Sequence, residues 1–155
     1  MRPFFAYSPS ARPLLLLACS GTKLDRPAKA IALYKGVMYS TFAKHKSADA
    51  PPSVMILSAE HGFLSPDIVI APYNRRMTVA RADEMLADLR QFNVHAAWPR
   101  EIGKALLAGG AESRRVMRAM LSALYPEALP FASETSGGIG QQRAQLGAFL
   151  RAGDQ

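Results

Sequence analysis

The run Leu14-Leu15-Leu16-Leu17-Ala18-Cys19, followed at once by Ser20-Gly21-Thr22-Lys23, constrains this chain more than any other stretch. A short apolar run closed by a small polar turn has the length of a strand, and it lacks the alternation of a strand with one wet face. Such a run is buried on both sides, as in a parallel sheet covered by helices above and below. In open parallel sheets, ligands bind just beyond the carboxyl ends of the strands. Cys19, Ser20, Thr22 and Lys23 therefore fall where α/β proteins place their chemistry.

The same residues carry a second pattern. Leu16-Leu17-Ala18-Cys19 matches the site at which bacterial lipoproteins are cut and lipidated, with Arg2 and Arg12 upstream. A secretory apolar region needs roughly 7–15 residues, and Pro13 cuts this one short. No apolar run approaches the ~20 residues of a membrane span. The expectation is a cytoplasmic chain without a membrane partner.

Residues 1–12, rich in Pro, Ser and aromatic side chains, read as a loose leader, and 13–152 as one domain. After the first strand at about 14–19, helical periodicity runs over about 28–47, with Gly36 an awkward interior residue. Asp49-Ala50-Pro51-Pro52 breaks the chain before a second buried strand, Val54 to Ser58. A long loop spans Phe63 to Met77; loops of that length in compact domains are functional or disordered. Thr78 can cap a helix over about 79–92, with Ala82, Met85, Leu86 and Leu89 inward. A short helix over Pro99 to Lys104, a third strand over Ala105 to Ala108 and a helix from Glu112 to Tyr125 follow. A last helix runs from Gln141 to about Arg151. This alternation predicts a single three-layer α/β domain with a small, mainly parallel sheet flanked by helices.

The 155 residues carry 19 Lys and Arg against 12 Asp and Glu, a formal net charge of +7. Arg75, Arg76 and Arg81 form one cluster, Arg114, Arg115 and Arg118 another, and Lys44-His45-Lys46 a third. Such charge favours phosphorylated or nucleic-acid partners through long-range attraction, with a merely soluble basic surface as the alternative. Arg75, Arg76, Arg114 and Arg115 are the candidate nucleic-acid contacts. A single cysteine excludes an internal disulfide, and histidines at 45, 61 and 95 have no metal-type spacing. Neither a metal nor a cofactor is expected.

Three loops follow strand ends and should converge on one edge: Cys19–Lys23, Ser58–Gly62 and Ala108–Gly110. Cys19 is a nucleophile if Lys23, His61 or a helix N-terminus lowers its thiol pKa; the alternative is packing, since free cysteine is among the most buried residue types. Ser20, Thr22 and Ser58 are hydroxyl donors for a ligand, and Lys23 its charge partner. Glu60 and His61 could supply acid–base chemistry, or cap and brace the loop instead. Gly62 allows close backbone approach. Tyr73 and Asn74 could stack on and hydrogen-bond a base, or form a lid. Gly138, Gly140 and Gln141, ahead of a helix, offer backbone N–H groups to an anion, although the turn matches neither the dinucleotide nor the P-loop pattern.

Cys19-Ser20-Gly21-Thr22-Lys23-Leu24-Asp25, Leu33-Tyr34, Ile56 through Asp67, Pro72-Tyr73 and Gly138-Ile139-Gly140-Gln141-Gln142 resemble, in order over about 14–148, a family of small bacterial and phage proteins catalogued as a domain of unknown function. More remotely the chain resembles the peroxide-stress YaaA proteins, associated with DNA binding, and the archaeosine-synthase domain that modifies a deazaguanine base in transfer RNA. The latter motif is Cys, three residues, then Lys-Pro-Tyr with Ser and His after it. Cys19 and Lys23 match; Leu24-Asp25 replaces Pro-Tyr, and no histidine follows locally. The resemblance implies a shared scaffold with a strand-end pocket for a nucleobase or nucleotide.

The leading expectation is thus an enzyme acting on a modified base or nucleotide, in nucleic acid or free, at its glycosidic bond. Glu60 or Asp67 would serve as acid, base or oxocarbenium stabiliser. A non-catalytic nucleic-acid-binding module and a thiol-dependent small-molecule enzyme built on Cys19 are the alternatives.

Overall fold

The computed structural model describes residues 5–152. In chain order the elements are β1 (Ala6–Tyr7), β2 (Leu14–Ala18), β3 (Ala28–Lys29), α1 (Ala30–Leu33), α2 (Val37–His45), β4 (Ser53–Ser58), β5 (Gly62–Leu64), β6 (Val69–Ile70), α3 (Val79–Ala87), β7 (Glu101–Ile102), β8 (Ala105–Ala108), α4 (Ala111–Leu124), β9 (Ala132–Glu134) and α5 (Ile139–Ala152). Single 3-10 segments follow α3 and α4, at Leu89–Phe92 and Pro126–Phe131.

The leucine run is the centre of the molecule. Strand β2 pairs in parallel with β4 on one side and β8 on the other, in a five-stranded sheet of order β5-β4-β2-β8-β9. Its four leucines have no exposed surface. Because successive strand residues point to opposite faces, Leu14 and Leu16 pack with α3 and α4 through Met85, Val116 and Met120. Leu15 and Leu17 pack with α1, α2 and α5 through Leu33, Phe42, Leu146 and Leu150. Burying each leucine contributes roughly 1.5–3 kcal/mol, so this strand fixes a helix layer on both faces. Cleavage ahead of Cys19 would remove it.

The fold class is the expected α/β, but the sheet is mixed rather than mainly parallel. Strand β5 returns antiparallel to β4, joined by the three residues Ala59, Glu60 and His61. Gly62 closes the turn at φ +80°, beside the Phe92 carbonyl; three-residue hairpins use glycine at this left-handed position. A second antiparallel pair, β3 with β6, shortens the loop expected over Phe63 to Met77.

Other differences have local causes. The helix expected over 28–47 is split, because Leu24 N–H donates to the Leu33 carbonyl and Lys35 N–H to that of Thr22, pinning Tyr34 and Lys35 as extended chain before Gly36 opens α2. The expected helix at Pro99–Lys104 is instead β7, which pairs with β1. That pairing docks the segment expected as a loose leader, and Tyr7 stacks on Phe131 at 4.3 Å; the first four residues of that leader lie outside the described residues. Among the described residues no helix is long and apolar enough to cross a membrane.

Candidate functional site

From β2 the chain moves to β4 on one side, and later to β8 on the other. The carboxyl ends of β2 and β8 are therefore the topological switch point, where connecting loops part and leave a crevice. A cavity of about 360 Å³ lies there, lined by Cys19, Ser20 and Thr22 after β2, Gly36 to Tyr39 at the start of α2, Ala108 to Gly110 after β8, and Ile139 and Gln142 of α5. Among the described residues no carboxylate lines it.

Close approach makes this pocket. Ser20 Oγ donates to the Thr22 carbonyl at 2.8 Å and accepts the Gly36 N–H at 3.3 Å. A Cβ on Gly36 would fall 2.7 Å from that of Ser20, so only glycine lets α2 begin here. Gly36 and Gly110 are the N-caps of α2 and α4, and no side chain caps either helix. The first-turn amides of α2 line the pocket without a side-chain acceptor, an arrangement that attracts anions, whereas α4 meets the pocket through Gly110 and carries Glu112 in its first turn. Opposite, Gly109 N–H donates to Thr135 Oγ1 at 3.0 Å, and Thr135 Oγ1 donates to Gln142 Oε1 at 2.9 Å. This link holds the entry to α5 against the β8 loop.

Beside Cys19, toward β4, is a chain of hydroxyls. Ser58 Oγ donates to Tyr73 at 2.8 Å, and the Tyr73 and Tyr34 hydroxyls lie 2.6 Å apart. Two bonds among three hydroxyls use two protons, so one phenolic proton remains for another acceptor. Lys23 Nζ lies 4.5 Å from the Tyr73 ring centroid, within cation–π range. Burial pushes the Tyr34 hydroxyl up to about 12, partly offset by its bond to Tyr73 and by the nearby Ser58 hydroxyl, with Cys19 adding to the rise. Tyr73 and Tyr39 are likewise pushed well up, by burial first and then by neighbours that include Cys19. These phenols are proton donors at neutral pH, and they surround the thiol.

The hairpin after β4 carries Glu60 and His61, whose N–H groups donate to Ser58 Oγ at 3.2 and 3.0 Å. Arg81, buried on α3, clamps the turn from below: Nε donates to the Ala59 carbonyl at 2.8 Å and Nη2 to that of Glu60 at 3.1 Å. The Glu60 carboxylate is part-exposed, 3.7 Å from Arg75 Nη1. Desolvation lowers the His61 pKa from 6.5, against the pull of Glu60 and with help from His95. Glu60 and His61 line a neighbouring cavity of about 530 Å³ with Leu64, Ile70, Tyr73 and His95. Tyr73 belongs to both groups, bonded to the hydroxyl chain and edge-on to His61 at 5.5 Å.

The structure thus gathers Cys19, Lys23 and Ser58 around Tyr34 and Tyr73, places Ser20 and Thr22 in the switch-point pocket, and sets Glu60 and His61 in the cavity next door. Asp67 is exposed beyond β5, 3.8 Å from Lys29. Asn74 and Arg76 are exposed after Tyr73. Gly138 N–H meets Gln141 Oε1 at 3.3 Å, so Gln141 serves its own loop, and Gly140 faces α2 rather than the pocket. Arg114 donates to the Gly109 carbonyl and pairs with Glu134, while Arg115 pairs with Asp83 and Glu112. Among the described residues no group of His, Cys, Asp and Glu could hold a metal ion.

Sequence reasoning passed over Tyr39, Thr135, Gln142 and the role of Arg81. Arg81 was detectable: it lies four residues before Met85 on the inward stripe of its helix, where a solvated charge does not belong. Thr135 follows a three-residue strand that gives no pattern of its own.

A model of a family of unknown function (DUF6884) matches residues 14–144. The chain belongs to this family. The match spans all the motifs of the strand-end loops and the start of α5. No curated protein and no solved structure matches the chain, and the remoter likenesses to YaaA and the archaeosine-synthase domain gain no support there.

Proposed function

We propose that this family member binds a nucleotide with its phosphate in the switch-point pocket and acts on a modified base at the glycosidic bond. The observation that carries the reading is the pocket between β2 and β8, free of carboxylates among the described residues and opened by the N-terminus of α2, which no side chain caps. Backbone amides and the Ser20 and Thr22 hydroxyls suit phosphate oxygens. Adjacent strands lie about 4.8 Å apart, so a nucleotide anchored at β2/β8 reaches across Cys19 toward the end of β4. There the base would meet Lys23 and the spare phenolic proton, and the sugar would approach Glu60.

Breaking the C1′–N bond sends its electron pair to the base nitrogen and leaves an oxocarbenium-like sugar. Water supplies hydroxide to C1′ and a proton to the departing base. Glu60 carries the carboxylate role, stabilising the cation or taking the water's proton. His61, with its pKa lowered, is a neutral proton acceptor in the same turn. Asp67, out on the surface, has no part in this chemistry.

Single-turnover release of free base from modified nucleotides and nucleic acids tests the reading. Glu60→Gln is expected to slow release by about 10²–10⁴-fold while nucleotide binding persists, with Cys19→Ser costing little. A dead Cys19→Ser beside an active Glu60→Gln would replace the reading with a thiol mechanism. Binding without release from any substrate would leave a binding module.

A further inference from the structure

Helices α2 and α5 lie side by side on one face of the sheet, and each has its first turn in the switch-point pocket. Further along, they frame a groove of about 500 Å³ lined by Lys44 and His45 of α2 and by Gly140, Arg143, Gly147 and Arg151 of α5. Small residues make the floor and cations the rim. No Asp or Glu occurs between Ala28 and Ala48, nor between Thr135 and Gly153. Both helices are therefore free of acid, and among the described residues none of the three rim cations, Lys44, Arg143 and Arg151, pairs with a carboxylate. Lys104, over the Phe149 ring of α5, adds positive charge to the same face.

We infer that this groove is a track for the phosphate backbone of a single nucleic-acid strand, leading one nucleotide into the switch-point pocket. A line of cations along two helices, unpaired among the described residues, matches a line of phosphates, whereas one mononucleotide would need only the pocket. The track begins where the pocket does, so a strand lying in it presents a nucleotide already out of a duplex stack, as chemistry on a base requires. The helix of 14 residues is about 21 Å long, which accommodates several phosphates. Strand binding by the groove stands alone; delivery into the pocket rests on the nucleotide reading above.

Fluorescence anisotropy with labelled oligothymidylate of about 12 nucleotides tests the track. The expected result is binding at low salt that falls steeply as salt rises, by about 0.7 log units per decade for each phosphate held. Lys44→Gln with Arg143→Gln should weaken binding about tenfold or more and flatten the slope by about 1.5, with an unchanged melting midpoint. Arg151→Gln should act in the same direction, and Arg76→Gln should not. No binding at low salt, or binding indifferent to the groove substitutions, overturns the inference. So does tighter binding of a duplex of the same length, or binding of phosphatidylserine vesicles in place of the strand. Groove-dependent strand binding without base release would sink the glycosidic reading and leave the track standing. Equal base release from free nucleotides and from strands, untouched by Lys44→Gln/Arg143→Gln, would sink delivery and leave the pocket.

Discussion

On one face of the sheet, α3 and α4 present Arg81, Arg114, Arg115 and Arg118, and each meets a carboxylate: Glu84, Glu134, Asp83 with Glu112, and Glu134 again. On the other, α2 and α5 present Lys44, His45, Arg143 and Arg151 with no acid on either helix. The first set is denser in sequence and nearly silent as a field, because its charge is spent inside the protein. The second is sparse in sequence and open to solvent. A net charge of +7 thus gives the size of the positive field, and only the pairing pattern says which face carries it.

The sharpest way to break this comparison is to remove one cation from each face. Arg81→Met strips two carbonyls of the β4–β5 turn of their buried donor and should cost about 2–4 kcal/mol, read by urea unfolding. Lys44→Met should stay within about 0.5 kcal/mol of wild type. Similar losses at both positions would mean that the two layers use their charges alike.

A smaller effect is expected at Glu134, which gathers Arg118 at 2.6 Å and Arg114 at 3.4 Å. Glu134→Gln should cost about 1 kcal/mol at neutral pH, the upper range for such partly exposed pairs. The bond from Arg118 is the main reason the Glu134 pKa lies below 4.5. A carboxylate depressed in the folded state stabilises above its unfolded pKa and loses that contribution as pH falls through the folded value. The gap between wild type and Glu134→Gln should therefore hold from neutrality down to about pH 5 and close below it. A gap that persists in strong acid would assign the cost to packing.

What the sequence shows of each face is a matter of range. Strands β2, β4 and β8 and helices α3 and α4 were legible because each carries its own signal: an unbroken apolar run, or a Thr78 cap and a 3.6-residue apolar period. The partners of the arginines were not, since Glu134 is 16 residues from Arg118 and Asp83 is 32 from Arg115, and no local pattern reports such distances. Strands β5, β6, β7 and β9, of two or three residues each, are too short to show periodicity. For the site, the position of Cys19, Ser20, Lys23 and Ser58 just after apolar runs is what points to one edge of the sheet. That Tyr34 and Tyr73 meet there, 39 residues apart, depends on how the β3–β6 pair folds back, which only tertiary contacts decide.

The smallest expected effect is a titration, and it reads how firmly Arg81 grips the hairpin. His61 lies in the turn whose carbonyls Arg81 holds. Desolvation there outweighs the attraction of Glu60, so the imidazole should titrate below 6.5 in nuclear magnetic resonance spectra of the folded protein. Above about pH 6.5 the ring is neutral folded and unfolded, and its ionisation adds nothing. As pH falls past that value the unfolded chain takes up the proton first, so stability drops relative to His61→Gln until the folded ring is protonated too. In Arg81→Met the turn should loosen, admit water and let the His61 pKa climb back toward its ordinary value. A wild-type value at or above 6.5 would mean that Glu60 rules the imidazole, and the contrast between a clamped, paired face and an open, unpaired one would lose its readout at the site.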